Sequence, residues 1–248
     1  MSTVEQVASK LIQGWRTGQR QSHEGLMLES EAQAYAVQDR VAEALGWFTQ
    51  APARAWKLGG APSSFISAAG VPAGAVHLSG WKAPGDYCHG FGIEGELIVR
   101  LSCDLDEHTD LAKAYSAIDA WLPGIELCDT RWLEAENAAP MLRLADQQSN
   151  RALILGETCV YAQLPDWSMQ TAELRIDGVS QLINTGSHPF AEPLNSIPWL
   201  ARHAVEQGNP LRAGDLIATG SWTGIYWAPA GAEVEIEFAG MGIVTFST

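Results

Sequence analysis

The run FGIEGELIV, at residues 91–99, restricts the fold of this chain more than any other segment. Residues two apart on a β-strand point to the same face, so Glu94 and Glu96 project together from an otherwise apolar strand. Two carboxylates in a half-buried place repel each other, and the loss of water makes it still harder to charge both. The fold must therefore supply compensating positive charge, which a hard divalent cation with oxygen ligands can provide.

A third carboxylate, Glu126, lies in the apolar run LPGIEL at 122–127. Three carboxylates completed by water suit Mg²⁺ or Mn²⁺, so we predict Glu94, Glu96 and Glu126 as metal ligands. The alternative is an ordinary solvated strand face. The C-terminal run AEVEIEF shows that the same alternation also occurs where the glutamates simply face water.

Periodicity predicts a β-rich α+β protein with few helices. Helices are expected at 4–16, at 31–45, over about 109–120, and after Asn195-Ser196. Strands are expected at 96–101, 152–155, 172–176 and 215–219, followed by a C-terminal hairpin formed by AEVEIEF and GIVTF. The strands and helices do not alternate regularly, which argues against a parallel α/β sheet.

Charge and hydropathy exclude several classes of protein. A net charge of −14 disfavours nucleic acid as a partner. No apolar run is long enough to span a membrane, and the N-terminus lacks the uninterrupted apolar segment of a secretory signal. We therefore expect a cytoplasmic protein with no membrane partner. An anionic substrate would need local positive charge, because the overall field repels it.

The four cysteines are Cys88, Cys103, Cys128 and Cys159, and no two form a C-x-x-C pair. In a chain of this size we expect reduced, buried thiols and no zinc site built from them.

The carboxylate segments resemble the metal site of the fumarylacetoacetate hydrolase superfamily, in the branch of 2-keto-4-pentenoate hydratases and 4-oxalocrotonate decarboxylases. The likeness lies in EGE at 94–96 and in LPGIE at 122–126, followed by Asp129 and Arg131. It runs from about Ala32 to the C-terminus. Six further segments match in the family order: AYAVQ (34–38), AWKLG (55–59), ADQQS (145–149), PLN (193–195), WLA (199–201) and GDLIATGS (214–221).

This resemblance implies a mixed β-roll core over residues 61–248 and a small, mainly helical N-terminal α/β region over 1–60. It also implies a Mg²⁺ or Mn²⁺ cofactor, a small anionic 2-oxo acid substrate and a homo-oligomer. Lys57 becomes the candidate catalytic lysine. The residues expected to contact substrate are Arg131, Asp146, Ser149, Thr219 and Ser221. Two of these have plain alternatives, since Arg131 could form a structural ion pair and Asp146 could cap a turn.

One part of the family pattern is missing. The hydratases carry F-G-x-L followed shortly by an aspartate that works with the lysine, whereas this chain has AVHLSGW at 75–81 and no aspartate before Asp86. We take His77 as the candidate replacement, with His89 and Asp86 as further possibilities. The specific hydratase reaction depends on which of these groups, if any, reaches the site.

The predicted chemistry follows from the metal. A 2-oxo acid can chelate the ion through its carboxylate and keto oxygens, and Lys57 adds positive charge to the enolate that forms. The favoured activity is that of a 2-keto-4-pentenoate hydratase-like lyase. The alternatives are a 4-oxalocrotonate-type decarboxylase, an acylpyruvate hydrolase, and, in another class, a non-catalytic 2-oxo acid binding protein or inactive partner subunit.

Overall fold

The computed structural model describes residues 2–60, 65–159 and 166–248. Within them, the α-helices are α1 (Thr3–Thr17), α2 (Glu31–Leu45), α3 (Leu111–Ser116), α4 (Pro140–Ala145) and α5 (Ile197–Glu206). The strands are β1 (Ala55–Gly60), β2 (Ile66–Val71), β3 (Val76–Leu78), β4 (Trp81–Lys82), β5 (Phe91–Leu101), β6 (Ile118–Cys128), β7 (Asn150–Leu155), β8 (Thr171–Ile176), β9 (Val179–Thr185), β10 (Leu216–Ser221), β11 (Tyr226–Ala228), β12 (Glu233–Phe238) and β13 (Gly242–Ser247).

The strands form two sheets, which confirms the predicted β-rich α+β class. The larger sheet has the order β2-β1-β10-β5-β6-β7-β3, with β11 also paired to β5. The smaller sheet has the order β4-β13-β12-β8-β9. The eleven-residue strands β5 and β6 lie at the middle of the larger sheet and pair antiparallel along nearly their whole length.

One face of β5 packs against the smaller sheet. Ile93, Leu97 and Val99 on this face are completely buried, and a methyl group placed on Gly95 would lie 3.1 Å from Ile236 of β12. The odd-numbered side chains of β5 therefore belong to the core between the sheets. Because side chains alternate along a strand, the even-numbered ones, which include the two glutamates, point to the other face.

The two N-terminal helices begin and end where their sequences predict. Ser2 caps α1 by accepting a hydrogen bond from the Glu5 amide, and Glu5 accepts one from the Ser2 amide. Gly18 and Gly46 end α1 and α2 with left-handed backbone angles. Both helices share an apolar cluster with Trp132 and the α4 region, while β1, the end of the 1–60 region, pairs inside the larger sheet.

Two predictions from the sequence are wrong. The helix expected over about 109–120 ends at Ser116, because residues from Ile118 onward pair with β5 to form β6. Long-range pairing overrides the local helical pattern there. The four cysteines are free thiols as expected, but they are not all buried, since Cys103 is exposed. Among the described helices, none has the length and apolar character needed to cross a membrane.

A buried ion pair joins the end of β6 to the segment before β7. Arg131 Nε contacts Asp146 Oδ1 at 2.5 Å, and both side chains are at most 4% exposed. The Arg131 guanidinium also donates to the backbone oxygens of Asp129, Asp146 and Asn150. Burial raises the pKa of Asp146, and the adjacent Arg131 opposes that shift. The pair therefore fixes the backbone around residues 146–150.

We expect Arg131→Met to lower the free energy of unfolding by about 3–5 kcal/mol, because it leaves the Asp146 carboxylate buried without its partner. Urea denaturation measures the loss. The matched control is Arg100→Met, which removes an exposed pair with Asp119 and should cost less than about 1 kcal/mol. Equal losses in the two variants would contradict the assignment of a structural role to Arg131.

Candidate metal centre

The pairing of β5 with β6 collects the carboxylates on one face of the larger sheet. Glu94 lies opposite Glu126, and Glu96 lies opposite Gly124. Opposed residues of an antiparallel pair share a face, as do residues two apart on one strand. All three glutamates therefore project together, away from the smaller sheet. Glu96 and Glu126 are buried, whereas Glu94 is partly open to solvent.

The donor atoms are close enough to hold one ion. A carboxylate oxygen of Glu94, one of Glu126 and the Cys128 sulfur all lie within 4.8 Å of one another. Glu126 Oε1 accepts a hydrogen bond from Asn150 Nδ2 at 2.9 Å, but Oε2 is buried with no hydrogen-bond partner among the described residues. A buried carboxylate oxygen without a partner is costly, and a divalent cation would satisfy it.

Glu96 lies beside this group, with one oxygen already engaged. Its Oε2 accepts a hydrogen bond from the Gly220 amide at 2.9 Å. Burial raises the pKa of Glu96 well above its ordinary value, and the charges of Glu126 and Glu94 raise it further. Glu96 is not among the donors that lie within 4.8 Å of one another, so its second oxygen would have to move to complete the predicted set of three carboxylates.

The cluster destabilises the metal-free protein at neutral pH. Burial, followed by the charge of Glu126, also raises the pKa of Glu94 above its ordinary 4.5. A carboxyl whose pKa is raised on folding does not lower the free energy of unfolding while it is protonated in both the folded and the unfolded state. Its contribution to stability is then lost as the pH rises from about 4.5 through the raised pKa of the folded protein. A bound cation would offset this loss of stability.

Lys57 places a positive charge against the same cluster. Its partner across β1–β10 is Ala218, whose partner on β5 is Ile98, so Lys57 shares the face of the glutamates. Lys57 Nζ lies 3.3 Å from Glu126 Oε1, and the residue is only 4% exposed. Burial alone would lower the pKa of Lys57, but Glu126 and its neighbours raise it above the ordinary value. The side chain is therefore a fixed cation rather than a proton acceptor.

A strained segment positions Gln148 over this lysine. Gln147, Gln148 and Ser149 have φ values of 52°, 50° and 69°. Each such residue costs about 1–2 kcal/mol relative to the right-handed conformation. The segment brings Gln148 Oε1 to 3.5 Å from Lys57 Nζ. Gly59 leaves room for this side chain, because a Cβ there would lie 1.9 Å from Gln148 Oε1 and would displace it.

These groups open into a cavity of about 700 Å³, large enough for a small organic acid. Its floor includes Lys57, Glu94, Glu96 and Cys128, and Ser149 and Ser221 lie on its wall. Arg20 and Arg143 also line it. Arg20 pairs with Asp129, whereas Arg143 is exposed and has no ion-pair partner among the described residues.

The family model described as fumarylacetoacetate (FAA) hydrolase C-terminal matches residues 32–247. The chain belongs to this family.

Relatives of the fumarylacetoacetate hydrolase family include hydratases and decarboxylases. The TodF product hydratase of Pseudomonas putida (strain F1) is 28% identical over 156 residues, covering 62% of this chain and 57% of the relative. A 4-oxalocrotonate decarboxylase of a Pseudomonas species is 26% identical over 156 residues, covering 63% and 60%. The chain thus matches less than two thirds of the length of either relative.

Solved structures agree on the fold. The 4-oxalocrotonate decarboxylase from Pseudomonas putida G7, complexed with magnesium and adipate, superposes with a TM-score of 0.85 at 20% identity, covering 98% of this chain and 96% of that one. The fumarylpyruvate hydrolase from Pseudomonas aeruginosa, in complex with Mn²⁺ and pyruvate, gives 0.60 at 17% identity, covering 78% and 88%. The fumarylacetoacetate hydrolase-like fold predicted from the motifs is confirmed.

The structure separates the residues predicted from the family motifs into two groups. One group lines the cavity beside Glu94 and Glu96, and it consists of Lys57, Ser149 and Ser221. Arg131 and Asp146 do not line the cavity, because each is occupied by the other. Thr219 does not line it either. It is completely buried, and its hydroxyl donates to the Leu97 carbonyl oxygen at 2.7 Å.

His77 does not reach the cluster, in contrast to its predicted catalytic role. It pairs with Ile154, which pairs with Ile125, so His77 lies on the face opposite Glu126. Its ring stacks on Trp81 with the centroids 3.8 Å apart. Side chains alternate between the two faces of a strand, and the sequence motif did not reveal which face His77 occupies. The other two candidates for the missing aspartate, His89 and Asp86, do not line the cavity either. His89 hydrogen-bonds Asp129, and Asp86 is exposed.

The sequence analysis missed three residues of the site: Cys128, Gln148 and Asn150. Cys128 could have been found, because it follows Glu126 by two residues on the same apolar strand, as Glu96 follows Glu94. Gln148 and Asn150 gave no such signal. Their positions depend on the strained turn and on the register of β7.

We expect Glu94→Gln to abolish stabilisation by divalent metal and to raise the melting temperature of the metal-free protein, because it removes a charge that Glu126 repels. In the unmodified protein, metal at about 100-fold its Kd should stabilise by about 2.7 kcal/mol. Thermal melts with Mg²⁺ or Mn²⁺ and with a chelator measure both effects. Glu107→Gln, at an exposed site, is the control. A metal response that survives in Glu94→Gln would exclude Glu94 as a ligand.

Proposed function

We propose that this protein is a divalent-metal-dependent enzyme that acts on a small 2-oxo acid through its enolate, in the manner of a 2-keto-4-pentenoate hydratase. The observation that supports this most is Glu126 Oε2, which is buried without a hydrogen-bond partner among the described residues. Glu126 contacts Lys57, and Lys57 lines one cavity together with Glu94 and Glu96. The named relatives are hydratases and decarboxylases, which supports the same substrate class.

Glu94 and Glu126 hold carboxylate oxygens close enough to bind one divalent cation, and Glu96 beside them would supply the third carboxylate after a side-chain movement. When bound, such a cation supplies a Lewis acid for the carboxylate and keto oxygens of the substrate. Lys57 then stabilises the negative charge that develops on the enolate oxygen, because it stays protonated and its ammonium is shielded from water. Gln148 limits the freedom of this ammonium by accepting a hydrogen bond from it.

The acid/base step distinguishes the candidate reactions. Hydration needs a positioned group to deliver water and a proton, which typically contributes about 10²–10⁴-fold in rate. Among the described residues, no histidine lines the cavity, and the carboxylates that line it are Glu94, Glu96, Glu134 and Glu136. Decarboxylation depends mainly on the electron sink, which this site retains. This favours a 4-oxalocrotonate-type decarboxylase as the second candidate function.

The assay that tests the proposal supplies Mg²⁺ or Mn²⁺ with 2-hydroxypenta-2,4-dienoate, with 4-oxalocrotonate or with an acylpyruvate. We expect turnover of at least one of them, with hydration slower than the roughly 10 s⁻¹ typical of enzymes. Tight binding of oxalate or pyruvate without any turnover would instead identify a 2-oxo acid binding protein. His77→Ala should leave every rate unchanged, because the ring faces the other side of the sheet.

We expect Lys57→Met to abolish turnover of every substrate, since the ammonium acts in the enolate step that all three reactions share. The methionine keeps the apolar stem and removes the charge. Lys113→Met, which alters an exposed pair with Asp106, is the matched control and should keep full activity. Substrate loss followed by absorbance and by released CO₂ measures each rate. Activity that persists in Lys57→Met would remove this lysine from the mechanism.

A further inference from the structure

Cys128 lies beside the carboxylate cluster of Glu94, Glu96 and Glu126, and not in the apolar core between the sheets. It follows Glu126 by two residues on β6 and lies opposite Gly92 of β5. Its side chain therefore shares the face of the glutamates. A Cβ at Gly92 would lie 3.1 Å from Cys128 Cβ, so the glycine leaves the room that this side chain occupies.

The sulfur is within reach of an ion held by the carboxylates. Cys128 Sγ donates to Glu94 Oε2 at 3.5 Å, and the residue is completely buried. Sulfur and the nearest oxygens of Glu94 and Glu126 lie within 4.8 Å of one another. Metal–sulfur bonds of about 2.3 Å and metal–oxygen bonds of about 2.1 Å bring three such atoms onto one ion after small side-chain rotations.

A second observation points to a ligand at the same place. Glu126 Oε2 is buried and has no hydrogen-bond partner among the described residues. The other oxygen, Oε1, accepts a hydrogen bond from Asn150 and pairs with the Lys57 ammonium. The thiol pairs with Glu94 and so does not satisfy this oxygen. A cation at the cluster would bind the oxygen and the sulfur together.

A thiolate changes which cation the site prefers. Mg²⁺ prefers near-octahedral oxygen ligands, whereas Zn²⁺ and Co²⁺ accept sulfur and oxygen together. A thiolate beside the carboxylates of Glu94 and Glu126 would give a mixed sulfur and oxygen donor set, with Glu96 as a further oxygen donor. We propose that Cys128 is a ligand of the metal centre and shifts its preference from Mg²⁺ towards Zn²⁺ and Co²⁺.

This inference rests on the metal centre of the proposed function. As the sulfur–metal bond forms, the S–H proton leaves for the solvent and one water leaves the ion. The oxidation state of sulfur and metal does not change. Binding through Cys128 therefore releases one proton more than binding through the carboxylates alone.

The decisive experiment titrates the full-length, chelator-treated protein with Co²⁺ and records its absorption spectrum. The unmodified protein should develop a thiolate-to-cobalt charge-transfer band that saturates at one ion per chain. Cys128→Val should still bind Co²⁺ but lack the band. Cys103→Ser, which removes an exposed thiol outside this group of donor atoms, should keep the band. A band in Cys128→Val, or none in the unmodified protein, would overturn the inference.

Calorimetry with Zn²⁺ and with Mg²⁺ gives an independent measure. All N, O and S sites favour Zn²⁺ to some degree, so the comparison is between proteins rather than between ions. Cys128→Val should lose at least about tenfold in Zn²⁺ affinity and keep its Mg²⁺ affinity, with one proton fewer released per Zn²⁺. Equal losses for both ions would mean that the substitution damaged the site as a whole, and would count against a ligand role.

The design separates this inference from the proposed function. If the unmodified protein binds Mg²⁺ and turns over substrate but shows no thiolate band, only the role of Cys128 fails. If it binds no divalent cation at all, the metal centre itself fails. Cys128→Ser provides a second variant of nearly the same size. It should also lose the band and the Zn²⁺ preference, so the test does not depend on the folding of Cys128→Val.

Discussion

The pairing of β5 with β6 is the interaction on which the rest of the structure depends. One face of this pair buries Ile93, Leu97 and Ile125 between the two sheets. The other face holds the glutamates. Since a one-residue slip would exchange the two faces, the apolar core and the charged site are fixed by the same register. The burial of one face therefore stabilises the crowding of like charges on the other.

A second layer of contacts holds the groups that surround this pair. The Arg131–Asp146 pair fixes the backbone that leads into the left-handed turn at 147–149. That turn is unfavourable by itself, and it persists because buried contacts on both sides determine its path. It aligns Gln148 with Lys57, and Asn150 with Glu126. Residues that never line the cavity thus control the geometry of those that do.

The sequence predicted the site where a local rule sufficed. Glu94 and Glu96 share a face because they are two apart on one strand, the apolar run around Glu126 marked the third carboxylate, and the family motif added Lys57. His77 was misplaced because its side of the sheet depends on the pairing of β3 with β7, which no motif states. The helix predicted over 109–120 was wrong in its second half for the same kind of reason. Long-range register decides these cases, and it is not readable from neighbouring residues.

The charges at the centre explain how an acidic protein can hold an anion. Three ionised carboxylates and the Lys57 ammonium leave two net negative charges, which a divalent cation would neutralise. A Cys128 thiolate on the same ion would leave one negative charge. The proposed 2-oxo acid would then meet at most one net negative charge at the site, even though the whole chain carries a charge of −14. The ammonium keeps its proton because the carboxylates stabilise it, and the carboxylates tolerate burial partly because the ammonium is near. We therefore expect removal of either partner to change the stability of the fold and, under the proposed function, the affinity of the site for a 2-oxo acid.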